Sequence, residues 1–192
     1  YSRLPIRRHE EHVFNARRAV SCKGWLEIEM ELPSASEAEL PRRLLLFNTH
    51  LEHAHSERWR CVREQQWRQL AGRVEEVMNH SPRGTLVVVL GDFNVCSDDL
   101  GVHIDGGAEY ASICETMRVA GLKADLVQHA HAAGLPTMRL APSPKALRCS
   151  VDHAFANAAF VNCVSQTIVV DTRGLDGSPV SDHHGICMDL RI

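Results

Sequence analysis

The stretch Leu86–Leu90, an unbroken apolar run between Gly84 and Gly91, limits the fold more than any other part of the chain. A run of this length and composition, preceded by Thr85 and stopped by Gly91, reads as a fully buried strand, and such a strand needs a sheet around it. It ends on GDFN. Asp92 and Asn94 belong to the residue types least suited to a buried strand, so the chain must leave the core there and carry both polar groups to an edge.

Other segments supply that sheet. From Trp25, WLEIEMEL alternates Leu26, Ile28, Met30 and Leu32 with Glu27, Glu29 and Glu31, the period of a strand with one buried and one wet face. After the polar PSASEAELP, the run RRLLLFNTH returns as a neighbouring, more apolar strand. From Ser56, a natural N-cap, Trp59, Val62, Gln66, Leu70, Val74 and Val77 recur every three or four residues and predict the longest helix. Most of its arginines alternate with Glu and Gln and read as a solvated face. A second helix is predicted around Tyr110–Ala120, closed by Gly121. CSVDHAFA, FVNCVSQTIVV and HGICMDLRI complete the strands. Hairpin-length connections outnumber strand–helix–strand units, which favours a mixed or antiparallel sheet in one domain spanning residues 1–192.

Charge and composition exclude several classes. The formal net charge of −3 argues against a protein that coats nucleic acid through bulk charge. No apolar run is long enough to cross a bilayer, and YSRLPIRRHEEH lacks the apolar core of a signal peptide, so the expected compartment is the cytoplasm and the expected state a monomer. Seven cysteines without a C-x-x-C pair read as buried thiols rather than a disulfide framework. Most of the 12 histidines fall in polar segments, where solvation is the usual outcome.

The remaining polar residues collect at predicted strand ends: Asn48, Thr49 and His50 close one; Asp92 and Asn94 close the buried one; Asp152 lies in CSVDHAFA; Ser181, Asp182 and His183 precede the last. Singly, each has an ordinary reading as a turn former or cap. Together they would line one rim of a sheet, the usual place for catalytic groups.

In these motifs the chain resembles the endonuclease/exonuclease/phosphatase superfamily of metal-dependent phosphodiesterases, which includes deoxyribonuclease-like nucleases, abasic-site endonucleases, inositol-phosphate phosphatases and neutral sphingomyelinases. The matching pieces, in family order, are NTHLEH (48–53), VVVLGDFNV (87–95), SVDHAFA (150–156) and SDHHGICMDL (181–190), and SCKGWLEIEM looks most like sphingomyelinase-type members. The resemblance implies an α+β fold, a two-layer β-sandwich flanked by helices, of which this chain covers the C-terminal part. It implies hydrolysis of a phosphoester, either a phospholipid, an inositol phosphate or another small phosphodiester, or alternatively nucleic acid, or else a member that binds phosphate ligands without turnover. Its cofactor would be Mg²⁺, with Mn²⁺ as an alternative, held through hard oxygen ligands. By the same resemblance Asp92 would orient or deprotonate the attacking water and, with Asn94 and Asp182, hold the metal. Asn94 would bind phosphate or water, His183 would act as base or as donor to a phosphate oxygen, and Asp152 would fix its tautomer. His50 would bind phosphate or protonate the leaving group. Members of the family also carry, upstream of these motifs, an Asn or Asp after the first strand and a metal-binding Glu after the second; neither is present in this sequence, and Glu10 and Glu11 do not take that role. His153 and His184 are expected to be structural, and no role falls to Lys23, His53 or His55.

Overall fold

The structure is a computed structural model that describes residues 2–16, 22–33, 42–54, 56–97, 107–130, 137 and 150–191. Among the described residues, strands and helices follow in the order β1 (Ile6–Val13), β2 (Gly24–Glu31), β3 (Arg43–His50), α1 (Glu57–His80), β4 (Leu86–Asp92), α2 (Ala108–Val119), β5 (Ala124–Asp125), α3 (Leu126–Ala130), β6 (Asp152–Ala156), α4 (Ala158–Val161), β7 (Val164–Val170) and β8 (Gly185–Leu190). One sheet has the order β1-β2-β3-β4-β6-β5, and β7-β8 form a second. Among the described residues only β3 and β4 pair in parallel, and α1 is the crossover that parallel neighbours require.

The predicted buried strand is β4, whose residues Leu86–Val89 are each at most 1% exposed. Val87 and Val89 face α1 and α2, packing with Phe47, Trp67, Leu70, Val74, Ile113 and Met117. Leu86 and Val88 face the other way, into a layer with Met30, Leu44, Phe160 and, from the second sheet, Ile186, Met188 and Leu190. The fold is thus α+β, with two sheets packed across an apolar layer and helices outside. Gly121, at φ +94°, follows the last turn of α2 as expected for a C-terminal glycine. The Ser56 carbonyl accepts from the Trp59 and Arg60 amides, but its side chain makes no cap bond.

The structure corrects several expectations. IRRHEEHV, which the sequence pattern assigns to no element, forms β1, an edge strand without apolar alternation, because antiparallel pairing with β2 supplies its order and its charges guard the open edge. Glu27, expected on a wet face, is 7% exposed, since α1 covers it and Arg73 pairs with both its oxygens at 2.9 and 3.1 Å. Arg63, placed among the solvated arginines, is 2% exposed; it holds Glu109 through two bonds of 2.7 and 2.9 Å and donates to the Ala54 carbonyl. The start of FVNCVSQTIVV is helical, because Asn157 caps α4 through the Phe160 amide at 2.9 Å. Cys22, Cys61 and Cys187 are exposed, not buried; Cys96 and Cys163 are buried, and no disulfide occurs among the described residues. No helix among them is long and apolar enough to span a membrane.

Candidate active site

Strand register assembles the rim. His50, the last residue of β3, pairs with Asp92, the last of β4, and Asp92 pairs with Asp152, the first of β6. Three polar side chains therefore meet on one line across the sheet end. Gly91 makes this possible: its φ is +137°, and a Cβ there would lie 1.9 Å from the Thr49 carbonyl oxygen. Only glycine lets β4 run that close to β3 before it turns.

GDFN then folds on itself. The Asp92 carboxylate accepts the Asn94 amide at 2.8 Å, an Asx turn, while Asn94 takes a left-handed φ of 53°. Phe93, fully buried, contacts the rings of His153 and Phe155. Asn94 donates its Nδ2 to the Leu51 carbonyl at 3.0 Å, which ties the loop to the NTH segment. That orientation leaves the Asn94 amide oxygen on the rim as an acceptor.

His183 reaches the same rim from the loop before β8. Its Nδ1 donates to the Asp152 carboxylate at 2.8 Å, and its amide donates to the Ser181 hydroxyl at 3.0 Å. With Nδ1 committed, Nε2 is the nitrogen available for chemistry. Burial works against a charged His183, but the hydrogen bond and charge of Asp152, with Asp92 and Asp182 behind it, outweigh that and raise its pKa. Burial raises Asp152, opposed by its hydrogen bonds with the Thr137 hydroxyl and His183.

His50 differs. Its Nε2 lies 3.3 Å from Asp92, but burial, aided by the positive charges of Lys23, His183 and His53, outweighs the Asp92 charge and lowers its pKa. Asp182 is exposed; it accepts from Ser181 at 3.4 Å and, among the described residues, has no hydrogen bond to Asp92 or Asn94. Five expected residues, His50, Asp92, Asn94, Asp152 and His183, thus converge through register and hydrogen bonds, while Asp182 adjoins them through the chain.

Beside the two imidazoles, the rim offers carboxylate and amide oxygens, donors that suit a hard divalent cation. Asp92, Asn94 and Asp182 would hold such an ion. Among the described residues, Glu10, His12 and Glu27 bring three metal-ligand atoms within 4.8 Å of one another. It belongs elsewhere, as Glu27 pairs in register with Phe47, well down β3 from His50, and Arg73 and Arg8 already hold its two carboxylates. Glu11 is exposed on β1, away from the rim.

Of the residues set aside, His153 is a core residue and His184 lies 3.8 Å from Asp171. His53 is exposed, 3.3 Å from Glu52, and His55 lies outside the described residues. Two contributors had no clear signal. Lys23, in the turn before β2, places a positive charge close enough to act on His50. Thr137, fully buried between the Asp152 and His183 segments, stands in a stretch with no periodicity to mark it.

The sequence pattern of the Endonuclease/Exonuclease/phosphatase family matches residues 2–183. No curated protein matches the chain. Among solved structures, it is similar to an endonuclease/exonuclease/phosphatase from Beutenbergia cavernae (20% identity, TM-score 0.69), covering all of this chain and 46% of that one. It is also similar to D. rerio TDP2 complexed with single strand DNA product (18% identity, TM-score 0.63), covering 95% of this chain and 66% of that one. Sphingomyelinase C from Streptomyces griseocarneus is similar at 18% identity and a TM-score of 0.59, covering 99% of this chain and 63% of that one. These likenesses show the fold, and the chain spans less than two thirds of the length of each.

Proposed function

Because the chain belongs to the Endonuclease/Exonuclease/phosphatase family, we propose that it hydrolyses a phosphoester by in-line attack of water at the Asp92–Asn94–His183 rim. The observation that carries this reading is the 2.8 Å His183–Asp152 bond, which turns Nε2 outward beside two strand ends whose polar groups are brought together by register.

A phosphodiester is anionic and repels nucleophiles, so the site must neutralise it, place a water in line and stabilise the leaving oxygen. A divalent cation on the oxygens of Asp92, Asn94 and Asp182 would supply the first need. Asp92 orients the attacking water and takes its proton, with the Asn94 amide oxygen fixing that water's position. His183, whose raised pKa favours the protonated ring, donates from Nε2 to a nonbridging phosphate oxygen. Asp152 holds the ring and balances its charge. His50 hydrogen-bonds the phosphate from the other side of Asp92, and the P–O bond opposite the incoming water breaks, its leaving oxygen taking a proton from solvent.

The substrate class we favour is a phospholipid or small phosphodiester, because the net charge of −3 gives no bulk attraction for a nucleic-acid backbone. The likeness to TDP2 complexed with single strand DNA product supports nucleic acid as the second reading, and that to Sphingomyelinase C supports the first. Mg²⁺-dependent cleavage of bis(p-nitrophenyl) phosphate tests the chemistry: Asp92→Ala should lower it by at least about 10²–10³-fold. A panel of sphingomyelin, inositol phosphates, abasic DNA and short RNA, with and without Mg²⁺, tests the substrate. Wild-type protein inactive on all of these would leave phosphate binding without turnover as the function.

A further inference from the structure

We propose that Thr137 is a positioning residue whose hydroxyl and backbone carbonyl clamp together the two segments carrying Asp152 and His183, and so set the geometry of that pair. Its catalytic consequence rests on the hydrolase reading above; its structural consequence does not.

Thr137 is fully buried and belongs to no strand or helix. Its Oγ1 accepts from two successive backbone amides, Val151 and Asp152, each at 3.1 Å. Its own amide donates to the Ser150 hydroxyl at 3.1 Å. Its carbonyl accepts from the His184 amide at 2.7 Å. One residue thus bonds to three consecutive residues at the entry to β6 and to the residue that follows His183. Further bonds tie this segment to the GDFN side, where the Phe93 amide donates to the Val151 carbonyl at 2.8 Å and the Ser97 amide to the Ser150 carbonyl at 3.0 Å. Without the Thr137 hydroxyl the Val151 and Asp152 amides would lose these two bonds on the side away from GDFN.

The hydroxyl is the decisive group. Two amides that converge on one oxygen cannot both be served by a sheet ladder, and a buried amide left unpaired forces its segment to move. Valine keeps the shape of threonine and removes the acceptor. Serine keeps the acceptor and removes the methyl. A purely volumetric role predicts that valine is tolerated and serine is not; a clamp predicts the reverse.

Two readouts on the full chain separate these cases. Long-range ¹H–¹⁵N spectra, with His183 assigned by its loss in His183→Gln, report which nitrogen of its neutral ring bears the proton. Wild type should show the Nδ1–H form that the Asp152 bond requires; Thr137→Val should lose that preference and Thr137→Ser keep it. With Mg²⁺ and bis(p-nitrophenyl) phosphate, Thr137→Val should lower kcat about tenfold to a hundredfold at unchanged KM, while Thr137→Ser stays close to wild type. Should Thr137→Val not fold, Thr137→Ala takes its place with the same expectations; failure of both to fold would make Thr137 a determinant of folding, and the inference would be wrong. A wild-type tautomer and kcat in Thr137→Val, or their loss in Thr137→Ser, overturns it too. A wild type that shows the expected tautomers but hydrolyses nothing overturns the hydrolase reading and leaves the clamp standing.

Discussion

Two consecutive residues of β6, Asp152 and His153, each enter an aspartate–histidine pair, and the two pairs lie on opposite sides of the strand. Asp152 meets His183 at 2.8 Å on the rim, with side chains 16% and 25% exposed. His153 meets Asp125 at 2.7 Å in the core, with side chains 0% and 2% exposed. The bonds are nearly equal in length, yet the second nitrogen separates them. In His153 it donates to the Val95 carbonyl at 2.7 Å, so both nitrogens donate and the ring is a cation. Asp125 is equally spent, accepting from the Tyr110 hydroxyl at 2.8 Å and from the Val127 and Ala154 amides. The core pair is saturated and serves as a strut behind the GDFN loop. Among the described residues the rim pair keeps one nitrogen uncommitted, and that nitrogen, not the pairing, gives it chemical use.

The sharpest way to break the comparison is to remove one histidine from each pair. His153→Ala leaves the Asp125 carboxylate buried without its counter-charge and should cost about 3–5 kcal/mol of stability, read as a lowered urea midpoint. His183→Ala should leave that midpoint nearly in place and instead lower kcat by about 10²–10³-fold. Reversed outcomes would mean that the assignment of strut and site is inverted.

A subtler test uses pH. Burial opposes a charged His153, but the Asp125 charge and hydrogen bond prevail and raise its pKa; its contribution is full below the unfolded value near 6.5 and fades as pH rises through the folded one. Burial would raise Asp125, but His153 and the surrounding donors lower it, so its contribution is full above the unfolded value near 3.9 and fades as pH falls through the folded one. The strut should therefore be strongest between about pH 4 and 6.5. Urea titrations at pH 5.5 and 8.5 should show a stability gap between wild type and His153→Gln that is wider at the lower pH. A gap independent of pH would mean that His153 is neutral in the core. The smallest effect is expected at the exposed Glu115–Arg118 pair on α2, where Arg118→Ala should leave the midpoint unchanged within error despite a 2.6 Å contact.

This contrast also marks how far the sequence could be read. The buried run of β4, the polar ends of β3 and β4 and the helical stripe of α1 were legible because each is written in a few consecutive residues. So was the rim, since His50, Asp92, Asn94, Asp152 and His183 all sit at strand ends or in the loop before one. What stayed hidden depends on partners distant in sequence: Asp125 as the mate of His153, Glu109 as the mate of a buried Arg63, Arg73 lying over Glu27, and β1, whose order comes only from β2. A charged residue in such a pair has the same local pattern as a solvated one, and only the fold tells them apart.

The parallel pairing of β3 with β4 has a consequence for folding. His50 and Asp92 stand in adjacent strands, but the whole of α1 separates them in the chain, so their contact cannot form until that long connection has closed and the helix has docked. Helix α1 and the β2–β3 hairpin are local structures that can form early, whereas the rim waits for a non-local pairing. In a refolding experiment, recovery of phosphoester hydrolysis should lag behind the return of helical circular dichroism, and activity would then time the closing step of the fold.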